Sequence, residues 1–283
     1  MRLGRYDLHA VRDGTFALDG GAMFGIVPRP LWEKKIAPDA RNRIPLAARC
    51  LLAIDRAAKR VILVDDGMGD KWDAKRIDIY GIDKSAGDLL GGLKRLGISP
   101  EDVTDVVLTH LHFDHAGGTT RLGPGGAPAL VFPRAVHHLQ RRSWQWAHGP
   151  TEKDAGSFMG ESYELLQHSN QLHLLDGAAE LFPDVELIVS DGHTVAQQLP
   201  RFHDGTTHLT FCGDVIPTSA HLKPSWVMAY DLHPLTTIEE KKVLVAEALE
   251  DDGILFFEHD PAIAACRLEE RDGATVFRSA VEL

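Results

Sequence analysis

Several kinds of segment are missing from this 283-residue sequence, and each absence excludes a class of protein. No apolar run approaches the roughly 20 residues that a membrane-spanning helix needs, so no membrane partner is expected. The first residues, MRLGRYDLHAVRDG, lack the apolar core of a secretory signal, and the protein is therefore predicted to be cytoplasmic. Basic residues number 30 against 41 acidic ones, and the net charge of −11 argues against a nucleic acid or an anionic membrane as partner.

Cysteine is also scarce. The three cysteines, Cys50, Cys212 and Cys266, are far apart in the sequence and lie among apolar residues. An odd number of cysteines at such spacing does not suggest a disulfide framework, and buried reduced thiols fit a cytoplasmic protein. Histidine, in contrast, is abundant: there are 15, and several lie where strands are predicted to end.

The order of the predicted elements is typical of a layered α/β protein. Two apolar runs, 50–55 and 60–66, are separated by the polar RAAK and predict a buried hairpin. The tail predicts a second hairpin that turns at Asp272-Gly273. The absence of repeats, low-complexity segments and clear linkers predicts a single domain over residues 1–283. Helical spacing predicts helices over 86–97, 135–148 and 236–251.

Residues 18–35, LDGGAMFGIVPRPLWEKK, are rich in glycine and proline and predict a loop that exposes apolar side chains. Exposed apolar residues near 23–32 leave two uses open. They are either a lid over a pocket or a contact in a homodimer.

The densest group of metal-binding side chain types is the stretch THLHFDHAGG, residues 109–118, which follows the apolar run VTDVVL. His110 and His112 are two positions apart, so on an extended segment they point the same way. Asp114 keeps that alternation, and His115 follows in a turn. Imidazole and carboxylate ligands suit zinc, and also manganese, iron, cobalt or nickel. One short loop therefore offers ligands to two neighbouring ions.

Three further polar residues lie at or just beyond predicted strand ends, which is where α/β folds tend to build sites. His193 and His259 are available to complete two metal sites, and Asp214, with two carboxylate oxygens, is suited to bridge them. Paired ions of this kind lie roughly 3.5–4 Å apart and generate hydroxide near neutral pH.

The strings HLHFDH, DGH, GD and EHD, in this order, make the sequence resemble the metallo-β-lactamase superfamily, from the hairpin near residue 50 to FFEHDP. The resemblance implies a four-layer αβ/βα sandwich with two divalent metal ions, zinc first among them, in the cleft between the sheets. It also implies a ligand set. One metal is assigned His110, His112 and His193, the other Asp114, His115 and His259, and Asp214 is assigned the bridging position.

Departures from other branches narrow the expected activity. Flavin-linked diiron oxidoreductases usually carry glutamate where this chain has His112, which favours hydrolysis. True β-lactamases are exported and mostly lack an aspartate at the bridging position. Nucleic-acid-processing branches expect a basic surface. Glyoxalase-type thioesterases end in a helical domain, whereas this chain is predicted to end in a hairpin.

The remaining branch contains N-acyl-homoserine lactonases, other small lactonases, and phosphotriester or arylester hydrolases. Three segments of the chain resemble it: DGGAMFGIVPRPLWEK, VDDGMGDKW and GDVIPTSAHLKPSWVMAYDLHPL. The better-known lactonases have a tyrosine three residues after the bridging aspartate, where this chain has Pro217. Polarisation of the carbonyl is therefore expected from Tyr230 or His221. For each residue, a role in packing or in a surface hydrogen bond is an equally good interpretation.

The mechanism that the resemblance implies is attack on a small lactone or ester by hydroxide held between the metals. Asp114 is expected to shuttle the proton to the leaving alkoxide. Met23, Phe24 and Trp226 are expected to form apolar walls for an acyl chain or ring. Two alternatives stay open: phosphotriesterase or arylesterase activity at the same metal site, and a metal-binding protein that is not a catalyst.

Overall fold

The computed structural model describes residues 1–283 and divides the chain into two compact units. The first unit comprises residues 1–14 and 48–177, and the second comprises residues 15–47 and 178–283. No helix in the structure combines the length and apolar character required to cross a membrane. Whether the whole chain behaves as one domain stays a prediction.

Seven of the first nine strands form a mixed sheet in the order β1-β2-β3-β4-β5-β8-β9, while β6 and β7 pair separately. Within the seven-stranded sheet, β4, β5, β8 and β9 are parallel neighbours, so their carboxyl ends lie at one edge. The bounds are β1 Arg2–Leu3, β2 Tyr6–Asp19, β3 Arg43–Asp55, β4 Arg60–Val64, β5 Asp105–Val107, β6 Thr120–Leu122, β7 Pro128–Leu130, β8 Val136–Gln140 and β9 Leu172–Leu175.

The other seven strands form a sheet in sequence order, from β10 to β16. Only β13 and β14 are parallel neighbours in it, and every other pair is antiparallel. The bounds are β10 Ala179–Phe182, β11 Val185–Ser190, β12 Gln197–His203, β13 His208–Phe211, β14 Ile254–Phe256, β15 Ala265–Arg271 and β16 Ala274–Val281.

Eight α-helices flank the strands, and most are short. The long helix α8 begins with a proline, a residue whose missing N–H costs nothing at the first helical position. The bounds are α1 Gly20–Phe24, α2 Arg29–Trp32, α3 Ala74–Tyr80, α4 Leu89–Arg95, α5 Phe113–Ala116, α6 Arg141–Ala147, α7 Gly160–Tyr163 and α8 Pro234–Glu250.

Both predicted hairpins are confirmed. Strands β3 and β4 pair antiparallel around the RAAK turn. Strands β15 and β16 turn at Asp272 and Gly273, whose φ angles of 54° and 71° match a two-residue hairpin loop. The predicted helices over 86–97 and 236–251 are also present, as α4 and α8. The three cysteines are buried free thiols, as expected.

Two local predictions are wrong. Residues 136–140, predicted as the start of a helix, form strand β8, because the parallel strands β5 and β9 pair with them on both sides. Residues 18–35 are not an open loop: they contain α1 and α2, and Met23, Phe24 and Trp32 are buried. Ile26, at 90% exposure, and Leu31, at 51%, remain exposed, so the lid and homodimer alternatives both stay predictions.

Candidate metal centre

The first cluster of metal-binding residues lies in the first unit, just beyond the carboxyl end of β5. His110 and His112 precede α5, and Asp114 and His115 lie on it. All four residues are buried, with at most 7% exposure. The ring centroid of His110 is 4.4 Å from that of His112 and 3.9 Å from that of His115. The tight sequence spacing therefore produces a compact donor group.

Asp65, the residue that follows β4, orients two of these imidazoles. Its carboxylate is 3.0 Å from Nδ1 of His115 and accepts hydrogen bonds from the backbone N–H of Thr109, at 2.6 Å, and from its hydroxyl, at 2.7 Å. The Thr109 hydroxyl lies 3.0 Å from Nδ1 of His110. A carboxylate next to Nδ1 of His115 and a hydroxyl next to Nδ1 of His110 favour a proton at that nitrogen, which places the lone pair of each ring on Nε2.

The backbone behind α5 is held by close contact between two glycine-containing loops. A Cβ atom on Gly69 would lie 2.2 Å from the carbonyl oxygen of Gly117, and one on Gly118 would lie 2.1 Å from the carbonyl oxygen of Asp66. Nζ of Lys71 donates to the carbonyl oxygen of Gly117 at 2.7 Å. Only glycine allows the two backbones to approach this closely.

Gly69→Ala is therefore expected to lower the free energy of unfolding by about 3 kcal/mol, because alanine meets both a positive φ angle and a backbone clash. Gly97→Ala is the matched control: Gly97 also has a positive φ, but no atom lies within 4 Å of an added Cβ. The control should cost only about 1 kcal/mol. Urea unfolding of both variants measures the difference, and equal losses would show that the contact with Gly117 is loose.

The second cluster lies in the second unit and is centred on Asp214. Its carboxylate contacts two imidazoles: Oδ2 is 3.1 Å from Nε2 of His193, and Oδ1 is 3.0 Å from Nε2 of His259. Asp214 follows β13, His193 follows β11 and His259 follows β14. All three are buried, so Asp214 links two histidines from different strand ends.

A second carboxylate and a carbonyl orient these two rings. Nδ1 of His193 is 3.0 Å from Oδ1 of Asp231, and Nδ1 of His259 is 2.8 Å from the carbonyl oxygen of Ala47. Burial alone would lower the pKa of His193, but the charges and hydrogen bonds of Asp214 and Asp231 raise it to about 9. Both rings therefore direct Nε2 towards Asp214.

The donor chemistry of both clusters fits divalent metal ions. All of their residues are buried imidazole or carboxylate donors, and each belongs to a group of side chains that could hold a metal ion. In four of the five imidazoles, Nδ1 lies within 3.0 Å of an oxygen atom. Metal-binding histidines almost always show this arrangement. The buried His/Asp clusters are consistent with a dinuclear metal site.

Asp231→Ala is expected to weaken the binding of the most loosely held metal by about 10–100-fold, because His193 loses the carboxylate that fixes its ring. Competition with a chromogenic chelator measures this change. Asp204→Ala, which removes an exposed carboxylate from a turn, is the control and should leave metal affinity unchanged. Unchanged affinity in the Asp231 variant would contradict the orienting role.

The sequence alone does not identify Asp65 and Asp231 as partners of the predicted ligands. Both stand in segments that it singled out, VDDGMGDKW and the stretch that ends in YDLHPL. An acidic residue directly after a buried strand was the available signal for Asp65. Their partners are 50 and 38 positions away in the sequence, so spacing alone could not assign them.

The structure brings four of the predicted substrate and catalytic residues together in the second unit. Phe24 stacks on His221, with ring centroids 4.5 Å apart, and meets Trp226 edge to face at 5.7 Å. Nε2 of His221 lies 2.8 Å from the carbonyl oxygen of Met23, and its Nδ1 lies 2.7 Å from the hydroxyl of Thr218. Burial lowers the pKa of His221 to about 3. A neutral ring with both nitrogens engaged fits a packing role.

Tyr230, another predicted catalytic residue, immediately precedes Asp231, whose Oδ1 contacts Nδ1 of His193. The backbone N–H of its neighbour Ala229 donates to the carbonyl oxygen of Ala22 at 2.8 Å. Tyr230 is partly exposed. The sequence neighbours of Tyr230 thus connect the second cluster to the segment that contains Met23 and Phe24.

Two curated relatives are N-acyl homoserine lactonases. AttM of Agrobacterium fabrum is 26% identical to this chain over 194 residues, covering 65% of this chain and 68% of AttM. The lactonase of Bacillus cereus is 27% identical over 191 residues, covering 65% of this chain and 64% of that protein. The matched region thus spans about two thirds of each relative.

Solved structures show the same fold. A probable metal-dependent hydrolase from Staphylococcus aureus is 28% identical, with a TM-score of 0.87 over 99% of this chain and 100% of that chain. AidC, a dizinc quorum-quenching lactonase, is 19% identical, with a TM-score of 0.80 over 100% of this chain and 97% of AidC, and supports the fold only.

The predicted fold class is confirmed: the chain has the α/β metallo-β-lactamase fold, with two mixed sheets and flanking helices. The family model that matches residues 50–259 is that of the metallo-β-lactamase superfamily, and this range includes every residue of both clusters. The prediction of an enzyme is confirmed with it. This chain belongs to the metallo-β-lactamase superfamily and is one of its metal-dependent hydrolases.

Proposed function

We propose that this chain opens small lactones, N-acyl homoserine lactones among them, at a dinuclear metal site. The observation that carries the proposal is the pair of buried donor clusters, with Nδ1 oriented by an oxygen in four of their five imidazoles. The lactonases of Agrobacterium fabrum and Bacillus cereus support the substrate class. A small-molecule substrate also agrees with the acidic net charge of −11.

Two divalent ions, zinc first and manganese, iron, cobalt or nickel as alternatives, suit these ligands. When bound, such a pair supplies Lewis acidity towards a carbonyl oxygen and lowers the pKa of water. Asp214 is proposed as the residue shared by the two ions, since its two carboxylate oxygens contact two different imidazoles. The proposed ligands are His110, His112 and His193 for one ion and Asp114, His115 and His259 for the other.

Asp114 is proposed to carry the proton. Its carboxylate oxygen lies 3.9 Å from Nε2 of His115, and its side chain is 9% exposed, so it is buried but still reaches solvent. It would accept the proton released by the nucleophile and deliver it to the departing alkoxide. An alkoxide is a poor leaving group without that proton, so the transfer matters most for lactones and alkyl esters.

Tyr230 is the better of the two proposed polarising residues. Both ring nitrogens of His221 are engaged by Met23 and Thr218, so this ring would have to break a hydrogen bond to reach a substrate. Tyr230 is partly exposed and lies next to Asp231 in the chain. Trp226, also partly exposed, remains the proposed apolar wall, while the buried Met23 and Phe24 would act mainly by supporting it.

A second candidate is phosphotriesterase or arylesterase activity at the same residues. Pro217 favours it, because this position holds no phenol for a lactone carbonyl. Hydrolysis of an aryl ester or phosphotriester also depends less on protonation of the leaving group, since a phenolate departs more readily than an alkoxide. Lactone hydrolysis thus depends more on Tyr230 and Asp114 than hydrolysis of an aryl ester or phosphotriester does.

Metal analysis combined with a substrate panel tests the proposal. We expect two metal ions per chain and a higher kcat/KM for aliphatic lactones than for aryl esters or phosphotriesters. Removal of metal with a chelator should abolish turnover of all three classes, and added zinc should restore it. A metal-free protein that opens lactones at the original rate would overturn the proposal, while preference for phosphotriesters would favour the second candidate.

A further inference from the structure

A row of polar side chains crosses one face of the seven-stranded sheet that contains β5, β8 and β9. His138 on β8 pairs directly with His173 on β9 and with Val107 on β5. Asp105 lies two residues before Val107. Because side chains of paired residues and of residues two apart share a face, Asp105, His138 and His173 all point to the same side of the sheet.

The contacts along this row are short and directional. Nε2 of His138 lies 2.8 Å from Oδ1 of Asp105, and Nδ1 of His138 lies 3.0 Å from Nδ1 of His173. Asp105 and His138 are buried, whereas His173 is exposed. Nδ1 of the buried histidine therefore faces a second imidazole nitrogen, which belongs to an exposed side chain.

The ionised Asp105 fixes the proton on His138. Burial raises the pKa of Asp105, but the hydrogen bonds from His138 and Thr104 outweigh it, and the net shift is downwards. The guanidinium of Arg60, 3.9 Å away, adds to the effect. An anionic acceptor at Nε2 keeps the proton of a neutral His138 on that atom, so its lone pair is at Nδ1, opposite His173.

We propose that Nδ1 of His138 and Nδ1 of His173 bind a divalent transition metal ion that favours imidazole, such as zinc, nickel or copper. Asp105 would be the orienting carboxylate, and water would complete the coordination. A carboxylate on the second nitrogen is the usual partner of a metal-binding histidine. Neutral His173 would keep its single proton, on Nε2.

The spacing of the two nitrogens suits such an ion. Zinc–nitrogen bonds of about 2.0–2.1 Å in tetrahedral geometry separate two ligand nitrogens by about 3.3 Å. Adjacent positions in a square-planar copper site are about 2.8 Å apart. The observed 3.0 Å lies between these values, and a small rotation of the exposed His173 reaches either one.

This site is separate from the two clusters of the metal centre. Asp105 is the first residue of β5, whereas His110 lies beyond the other end of that strand. The sites share no ligand. Strand β9 is the last strand of its sheet, so an ion here would tie an edge strand to β8. Because such an ion would bind the folded chain in preference to the unfolded one, it would raise the stability of the protein.

Calorimetric titration of the purified, metal-loaded protein with Zn²⁺ tests the inference. Wild type should bind one more ion per chain than His173→Ala, and Asp105→Asn should bind that ion about 10–100-fold more weakly. His168→Ala, another exposed histidine, should bind like wild type. With Cu²⁺ as the probe, electron paramagnetic resonance should show nitrogen coupling that His173→Ala loses.

Two results would overturn the inference. One is equal stoichiometry and affinity in wild type and His173→Ala; the other is an equal loss in His168→Ala, which would indicate adventitious binding to surface histidines. Thermal unfolding of each variant without added metal controls for folding, and His173→Ala alone is decisive if Asp105→Asn is unstable. The inference does not rest on lactone hydrolysis. The titration measures ion binding and the substrate panel measures turnover, so either proposal can fail without the other.

Discussion

Asp214→Ala is expected to lower turnover of the preferred substrate at least about 1000-fold, with loss of bound metal. The carboxylate of Asp214 contacts Nε2 of both His193 and His259. Without it, two buried imidazoles lose the carboxylate that they share, and the two proposed ions lose the residue proposed to bridge them. The metal content, measured by elemental analysis, and kcat/KM should fall together in the same preparation.

His208→Ala is the matched control for this substitution. His208 is a buried polar residue at the start of β13, the strand that leads to Asp214, and it packs against Gly253 outside the cluster. It should lower stability while keeping metal and activity. An Asp214→Ala protein that stays active without metal would contradict the proposed role, and so would loss of metal in the control.

Asp114→Asn is expected to lower kcat for lactones by about 10²–10⁴-fold, the usual contribution of a general acid or base. The amide keeps one oxygen as a metal ligand but cannot carry the proton. The loss should therefore be much smaller for an aryl ester with a nitrophenolate leaving group, which departs without protonation. Parallel kinetics on a lactone and such an ester, with metal analysis, measure the difference.

The dependence on leaving group separates proton transfer from simple loss of metal. If Asp114→Asn lost metal, lactone and aryl ester turnover would fall by the same factor, and added zinc would restore part of both. A selective loss on the lactone with full metal content supports the shuttle. Equal losses with full metal content would assign Asp114 a ligand role only.

The sequence by itself determined the features that depend on local spacing. The alternation of His110, His112 and Asp114 predicted a buried donor loop after a strand, because side chains two positions apart share a direction. The hairpins around RAAK and Asp272-Gly273 followed from turn residues between apolar runs. These predictions hold because the decisive contacts lie within a few residues of one another.

Only the tertiary structure decided which distant groups orient the predicted ligands. Asp65 and Asp231 are 50 and 38 positions from their imidazoles, and the carbonyl of Ala47 is 212 positions from His259, so no local pattern reveals these pairs. The predicted helix is wrong over residues 136–140 for a related reason. The buried pairing of this segment with β5 and β9 outweighs its local propensity. That same pairing aligns His138 with His173.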